Sequence, residues 1–207
     1  MKKFENEIGK PGRRHWFFSD DDDDYKLTRM HMRKFSEEIV SYFKSNQNLN
    51  ILEVGPSENL YKECCNEFST AIIGEEARKI GHGYKTLDIM GTADYICPVE
   101  EVSRHITNEK FDVLILLSII EHVGDIHLLS EEFCKITNRG AKVFINTPYM
   151  FKVHGPIPDY WRISEYGYRH LFGKQFNLEF DVFPENELGK NSIPLSFNVT
   201  LTKKELI

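Results

Sequence analysis

Between residues 26 and 44, KLTRMHMRKFSEEIVSYFK, apolar side chains recur every three or four positions (Leu27, Met30, Phe35, Ile39, Tyr42, Phe43). That spacing predicts an amphipathic helix. A polar break, SNQNLN, then gives way to ILEVG at 51–55, a short strand. LYKECCNEF (60–68) predicts a helix, YKTLDI (84–89) and ADYIC (93–97) strands, and VEEVSRHI (99–106) a helical turn. FDVLILLSI (111–119) is almost unbroken in its apolar run, the pattern of a central parallel strand covered on both faces. DIHLLSEEFCKIT (125–137) predicts a helix ended by Asn138-Arg139-Gly140, with the glycine as left-handed cap, and AKVFINTP (141–148) a fifth strand. Helices and strands that trade places at this interval specify an α/β domain with a parallel sheet. Near the end, NLEFDVF (177–183) and LSFNVTLTKK (195–204) are two strands joined without a convincing helix, hence antiparallel to one another.

At 207 residues the chain is long enough for one well-buried domain, here 26–207, preceded by an arm over 1–25. The arm joins a basic pair, the aromatics Trp16, Phe17 and Phe18, and five consecutive aspartates, Asp20–Asp24, without a helical or strand period. The acidic run is read as solvated surface, and the aromatics as a lid over a ligand or as packing on the domain. A net charge of −6 argues against a nucleic-acid partner, because duplex affinity rests on clustered Lys and Arg. GKPGRRH (9–15) is the one short basic stretch. The opening MKKFENEIGK meets Glu5 and Glu7 before any apolar run, so no secretory signal is expected, and no segment reaches the length of a membrane span. The four cysteines, Cys64, Cys65, Cys97 and Cys134, fit no zinc spacing and are read as reduced thiols of a cytoplasmic protein. No residue is assigned to a metal, and homo-oligomerisation stays open.

The acid that ends the first strand, Glu53, followed by Gly55, is the feature a simple core strand does not need. A carboxylate there repels phosphate but suits a cationic ligand, and a glycine lets backbone approach that ligand closely. Strand, acid and glycine together resemble the first motif of the class I S-adenosylmethionine-dependent methyltransferases, over about 150 residues from Asn50 onward. The resemblance implies a Rossmann-like sheet, mostly parallel with an antiparallel C-terminal strand and helices on both faces. It also implies S-adenosylmethionine as cofactor, held by Glu53, Gly55, Pro56, Ser57, Asp88, Ile89, Val99, Leu117 and Ser118. Asp88 takes the ribose hydroxyls in this reading; TAIIGEE (70–76) is a rival second strand, with Glu75 or Glu76 in that role. Two motif glycines are replaced here by Ser57 and Asn59, and Pro98 stands where relatives place an adenine-binding aspartate.

Methyl transfer asks the protein to align acceptor and donor, and a hydroxyl acceptor benefits from a nearby base. His122, in IIEHVGD, and His154, after the fifth strand, are the candidate bases. In relatives the Glu-His pair, here Glu121-His122, also shapes the cofactor pocket. HGPIPDYWR (154–162), followed by a helix, resembles a type-11-like subgroup associated with cell-surface glycan assembly. That resemblance implies a small-molecule or glycan-linked acceptor, contacted by Tyr149, His154, Asp159, Tyr160, Trp161 and Arg162. The plainer reading of the same residues is a plug of Tyr160 and Trp161 with Asp159 paired to Arg162. A protein or nucleic-acid acceptor, and a non-catalytic binding protein with a decayed loop, are the alternatives.

Overall fold

The computed structural model describes residues 23–56, 71–183 and 194–205. The arm up to residue 22, with its aromatics, and the segment 57–70, with Ser57, Asn59, the helix expected over 60–68, Cys64 and Cys65, lie outside the described residues. Five strands, β1 (Asn50–Val54), β2 (Gly83–Asp88), β3 (Tyr95–Ile96), β4 (Phe111–Leu117) and β5 (Thr137–Pro148), run parallel. β7 (Ser196–Lys203) pairs antiparallel with both β5 and β6 (Phe176–Phe183), so β6 again points the way of β5. The sheet order is β3-β2-β1-β4-β5-β7-β6. The expected architecture is therefore present: a Rossmann-like, mostly parallel sheet with the chain order reversing between β1 and β4.

Strand alternation sorts the core into two faces. Leu52, Val54, Leu114, Leu116, Val143 and Ile145 face one layer; Ile51, Val113, Ile115 and Phe144 face the other. The first is covered by α3 (Val102–His105), α4 (Leu129–Ile136) and α5 (Glu165–Phe172), through Val102, Phe133, Tyr168 and Phe172. The second is covered by α1 (Asp23–Lys44) and α2 (Ala71–Ile80), through Phe35, Ile39, Phe43, Ile73 and Ala77. The middle of β4 is fully enclosed, as its unbroken apolar run requires.

Three expectations change. Glu75 and Glu76 lie on α2, not on a strand, because their segment follows a helical stripe (Ile73, Ala77) onto the sheet. α4 stops at Ile136 and the chain enters β5 at once; Gly140 takes its positive φ, +71°, beside a register shift between β4 and β5 instead of capping a helix. On α1, Leu27 and Met30 face solvent, and Thr28, His31 and Met32 are buried in their place. The helix is rotated so that its first turns present polar groups to the sheet, for a reason found at the β6–β7 end.

Candidate functional site

In open α/β sheets ligands bind beyond the carboxyl ends of the strands, where the strand order reverses. Here that place is the mouth between β1 and β4. Val54 is followed by Gly55 at φ +62°, whose N–H donates to Leu87 O at 2.7 Å. A side chain at this position would overlap Ile119 Cδ1 and stand 3.2 Å from Cγ1, so the segment after β4 lies directly against the turn after β1. Leu117 ends β4, and Ser118 also adopts a left-handed conformation, φ 55°, with its N–H donating to Asn146 O at 2.9 Å. Pro56 is buried beside this turn.

Asp88 closes β2. Its Oδ1 accepts the N–H of Ile89 at 2.7 Å and of Met90 at 3.4 Å, an arrangement that turns the chain back. Its Oδ2 is buried and has no hydrogen-bond partner among the described residues. Burial raises the Asp88 carboxyl above its ordinary value, against the opposing pull of those two N–H groups. Ile89 and Met90 are exposed at the rim, and Cys97 N–H returns to Asp88 O at 3.0 Å, which brings Pro98 and the buried Val99 to the same edge. Glu53 is enclosed within β1, on the α1–α2 side of the sheet, and the Tyr84 hydroxyl donates to its carboxylate.

The residues expected to contact an acceptor lie in the loop from 149 to 164. The Asp159 side chain is fully enclosed and takes both guanidinium arms of Arg162, at 2.6 and 2.8 Å. Burial alone would raise the Asp159 carboxyl, but the Arg162 hydrogen bonds and the His154 N–H hold it below the usual carboxylate range. Arg162 also donates to Lys152 O at 3.0 Å and Trp161 O at 2.8 Å. The pair therefore staples the loop to itself, which is the plainer of the two readings the sequence allows. Trp161 packs on the core and its indole N–H donates to Val123 O at 2.7 Å. Tyr149 stacks edge-on against Phe197, and the Tyr160 ring is exposed. Ser164 caps α5 by accepting the Gly167 N–H.

Beneath the loop, the turn Ile120–His122 sets Glu121 in the interior. Its carbonyl accepts the N–H groups of Tyr160 at 2.7 Å and Trp161 at 3.2 Å, which ties the post-β4 turn to the post-β5 loop. The structure thereby unites the two candidate bases: the His122 and His154 rings lie edge-to-face with centroids 5.0 Å apart.

A second polar group has no counterpart among the residues expected from sequence. His31 Nδ1 lies 2.7 Å from Ser196 Oγ and Nε2 lies 3.0 Å from Asp181 Oδ2. Asn198 links Asp181 and His31 to Asn146, and Asn146 reaches Ser118 Oγ at 3.4 Å. This chain of contacts runs from α1 across β6, β7 and β5 to the mouth, and explains the rotation of α1. The legible signal is polar residues standing in apolar frames: His31 in the helix, Asn146 and Asn198 in buried strands.

No protein-family model matches the chain, and no curated protein does. Among solved structures, an S-adenosylmethionine-dependent methyltransferase from Archaeoglobus fulgidus is similar at TM-score 0.58 and 12% identity, over 87% of this chain and 97% of that one. The N-methyltransferase NodS from Bradyrhizobium japonicum WM9, in complex with S-adenosylhomocysteine, is similar at 0.53 and 12% over 99% and 98%. The Burkholderia thailandensis 1,6-didemethyltoxoflavin-N1-methyltransferase, solved with bound 1,6-didemethyltoxoflavin and S-adenosylhomocysteine, is similar at 0.58 and 14% over 90% and 83%. At these identities the likeness establishes the fold: this chain has the class I methyltransferase architecture.

Proposed function

We propose that the protein is an S-adenosylmethionine-dependent methyltransferase acting on oxygen of a small-molecule or glycan-linked acceptor. The observation that carries the reading is the pair formed by Gly55 and Asp88 at adjoining strand ends: a turn with no room for a side chain beside a buried carboxylate oxygen that lacks a partner among the described residues. A nucleoside with a ribose diol fits that combination. Gly55 and Pro56 would pass the methionyl part, with the Glu53 carboxylate at the end of β1 favouring a cationic ligand. Asp88 would accept the ribose hydroxyls, and the segment at Ile89 and Val99 would flank the adenine. Leu117 and Ser118 form the opposite wall. When bound, the cofactor supplies the electrophilic methyl carbon.

The chain's own contribution is alignment and proton handling. The loop from 149 to 164 is fastened by Asp159–Arg162 and by Trp161, so Tyr149 and Tyr160 are presented from a fixed backbone to the acceptor. His154 and His122 form the polar centre under that loop and would receive the proton of an acceptor hydroxyl. The type-11-like, glycan-associated resemblance of HGPIPDYWR supports the acceptor class.

Titration of the full chain with S-adenosylhomocysteine tests the reading; no binding at millimolar ligand removes it. Asp88→Asn should weaken binding roughly 10- to 100-fold, the worth of about 1.5–3 kcal/mol for hydrogen bonds to a charged acceptor. Because burial raises the Asp88 pKa, affinity should be full above it and fall as pH drops through it, beginning at a higher pH than an ordinary carboxylate would give. Asp88→Asn should abolish that acid-side loss.

A further inference from the structure

We infer that Glu121, His122 and His154 form a binding site for a divalent first-row transition cation of the zinc or manganese class. Glu121 is 0% exposed, and neither of its carboxylate oxygens has a hydrogen-bond partner among the described residues. A carboxylate so enclosed is strongly disfavoured without a compensating positive charge. Two imidazoles stand against its oxygens; the Arg162 guanidinium also feels its charge but is taken up by Asp159. His154 Nε2 stands 3.5 Å and His122 Nε2 3.9 Å from Glu121 Oε1, and the three ligand atoms lie within 4.8 Å of one another.

The outer contacts decide which nitrogens carry protons. His122 Nδ1 is 2.9 Å from Pro158 O, and a carbonyl only accepts, so Nδ1 holds the hydrogen and the Nε2 lone pair points at Glu121. His154 Nδ1 lies 3.0 Å from Asp159 Oδ2. That contact falls outside good hydrogen-bond geometry, but a lone pair on Nδ1 would face a carboxylate and repel it, so the proton belongs there too. The unprotonated Nε2 of His154 then stands 3.5 Å from the same oxygen of Glu121. Three potential electron-pair donors thus converge on one point. Ligands about 2.0–2.2 Å from a tetrahedral ion stand roughly 3.4 Å apart, close to the two separations from Glu121. The third closes with small rotations of the histidine rings.

Imidazole backed by a carbonyl in one case and by a carboxylate in the other is the usual outer support of a metal-binding histidine. Asp159 is itself locked by Arg162, so HGPIPDYWR also seats His154 and orients both rings. Two nitrogens and one carboxylate select a borderline cation over magnesium or calcium, and leave coordination positions open. Resting on the methyltransferase reading, those positions are where an acceptor oxygen would bind, with the histidines serving as ligands instead of as the direct base.

The test uses the full chain stripped with chelator and titrated calorimetrically with Zn2+ and Mn2+ in separate runs, with the Co2+ visible spectrum recorded in parallel. One ion per chain is expected, and Glu121→Gln and His154→Ala should each weaken binding at least tenfold and alter the Co2+ spectrum. Substoichiometric binding, or binding unchanged in both variants, overturns the proposal. Folding is controlled by thermal unfolding in chelator. There Glu121→Gln, isosteric and uncharged, should be at least as stable as the parent; if it is instead clearly less stable, the carboxylate is paired with protonated histidine and the site is structural. With ion added, the parent should gain melting temperature and Glu121→Gln should not. S-adenosylhomocysteine titration of the same samples separates the two readings: donor binding retained while ion binding fails removes the metal alone, and the reverse removes the donor reading alone.

Discussion

Gly55→Ala is the perturbation whose cost the structure specifies in parts. The backbone there sits at φ +62°, where a residue with a Cβ is strained by about 1–2 kcal/mol. The added methyl would also overlap Ile119 Cδ1. That atom ends a flexible side chain that is only partly buried against the core, so the overlap should be relieved by repacking at about 1 kcal/mol, the low end for overpacking. The expected total is about 2–3 kcal/mol. Gly140→Ala supplies the comparison, since Gly140 has φ +71° and nothing within 4 Å of where the methyl carbon would stand; it should cost the backbone part alone, about 1–2 kcal/mol. Ile119→Val removes the overlapping atom and by itself should cost about 0.5–1.5 kcal/mol. Urea unfolding of the four variants, the double mutant Gly55→Ala/Ile119→Val included, closes a cycle. The double mutant should be more stable than the sum of the singles predicts, by about 1 kcal/mol. If Gly55→Ala costs no more than Gly140→Ala, or the cycle is additive, the contact between the two loops is not what requires glycine.

Two further outcomes follow from buried groups. Burial lowers the His31 pKa below its ordinary value, although Asp181 pulls it up, while Lys34 adds to the lowering and Ser196 and Asn198 complete the surroundings. A depressed folded pKa gives stability that is present above the unfolded value and lost as pH falls through the folded one, at about 1.4 kcal/mol for each tenfold difference in proton affinity between the folded and unfolded chain. Unfolding free energies measured from pH 7.5 downward should show that loss in the parent and not in His31→Gln; parallel curves would refute it. Asp159→Asn leaves Arg162 without its enclosed partner, and with Arg162 a quarter exposed the loss should fall near the lower end for a broken buried pair, about 3 kcal/mol, read by urea unfolding. A loss below about 1 kcal/mol, the range of an exposed pair, would show that the loop is held by other contacts.

Much of the fold was determined by sequence alone. The strand and helix periods located every described strand to within a few residues, because a helix stripe and a doubly covered strand write their burial directly into spacing. The placement of Gly55 and Asp88 at adjoining strand ends was also readable, since an apolar run that breaks at a glycine or an acid marks where a strand stops. What spacing could not specify was orientation about an axis. Whether α1 turns Leu27 or His31 inward depends on Asp181, Ser196 and Asn198, which stand 150 or more residues later in the chain. The place of Gly140 depended on the pairing of β5 with β4, a non-local contact. The convergence of Glu121, His122 and His154 was likewise decided only in three dimensions, because it requires the turn after β4 and the loop after β5 to meet through the Glu121 carbonyl. Periodicity reports how each segment is buried; which side chains then face one another is set by the packing of segments distant in sequence.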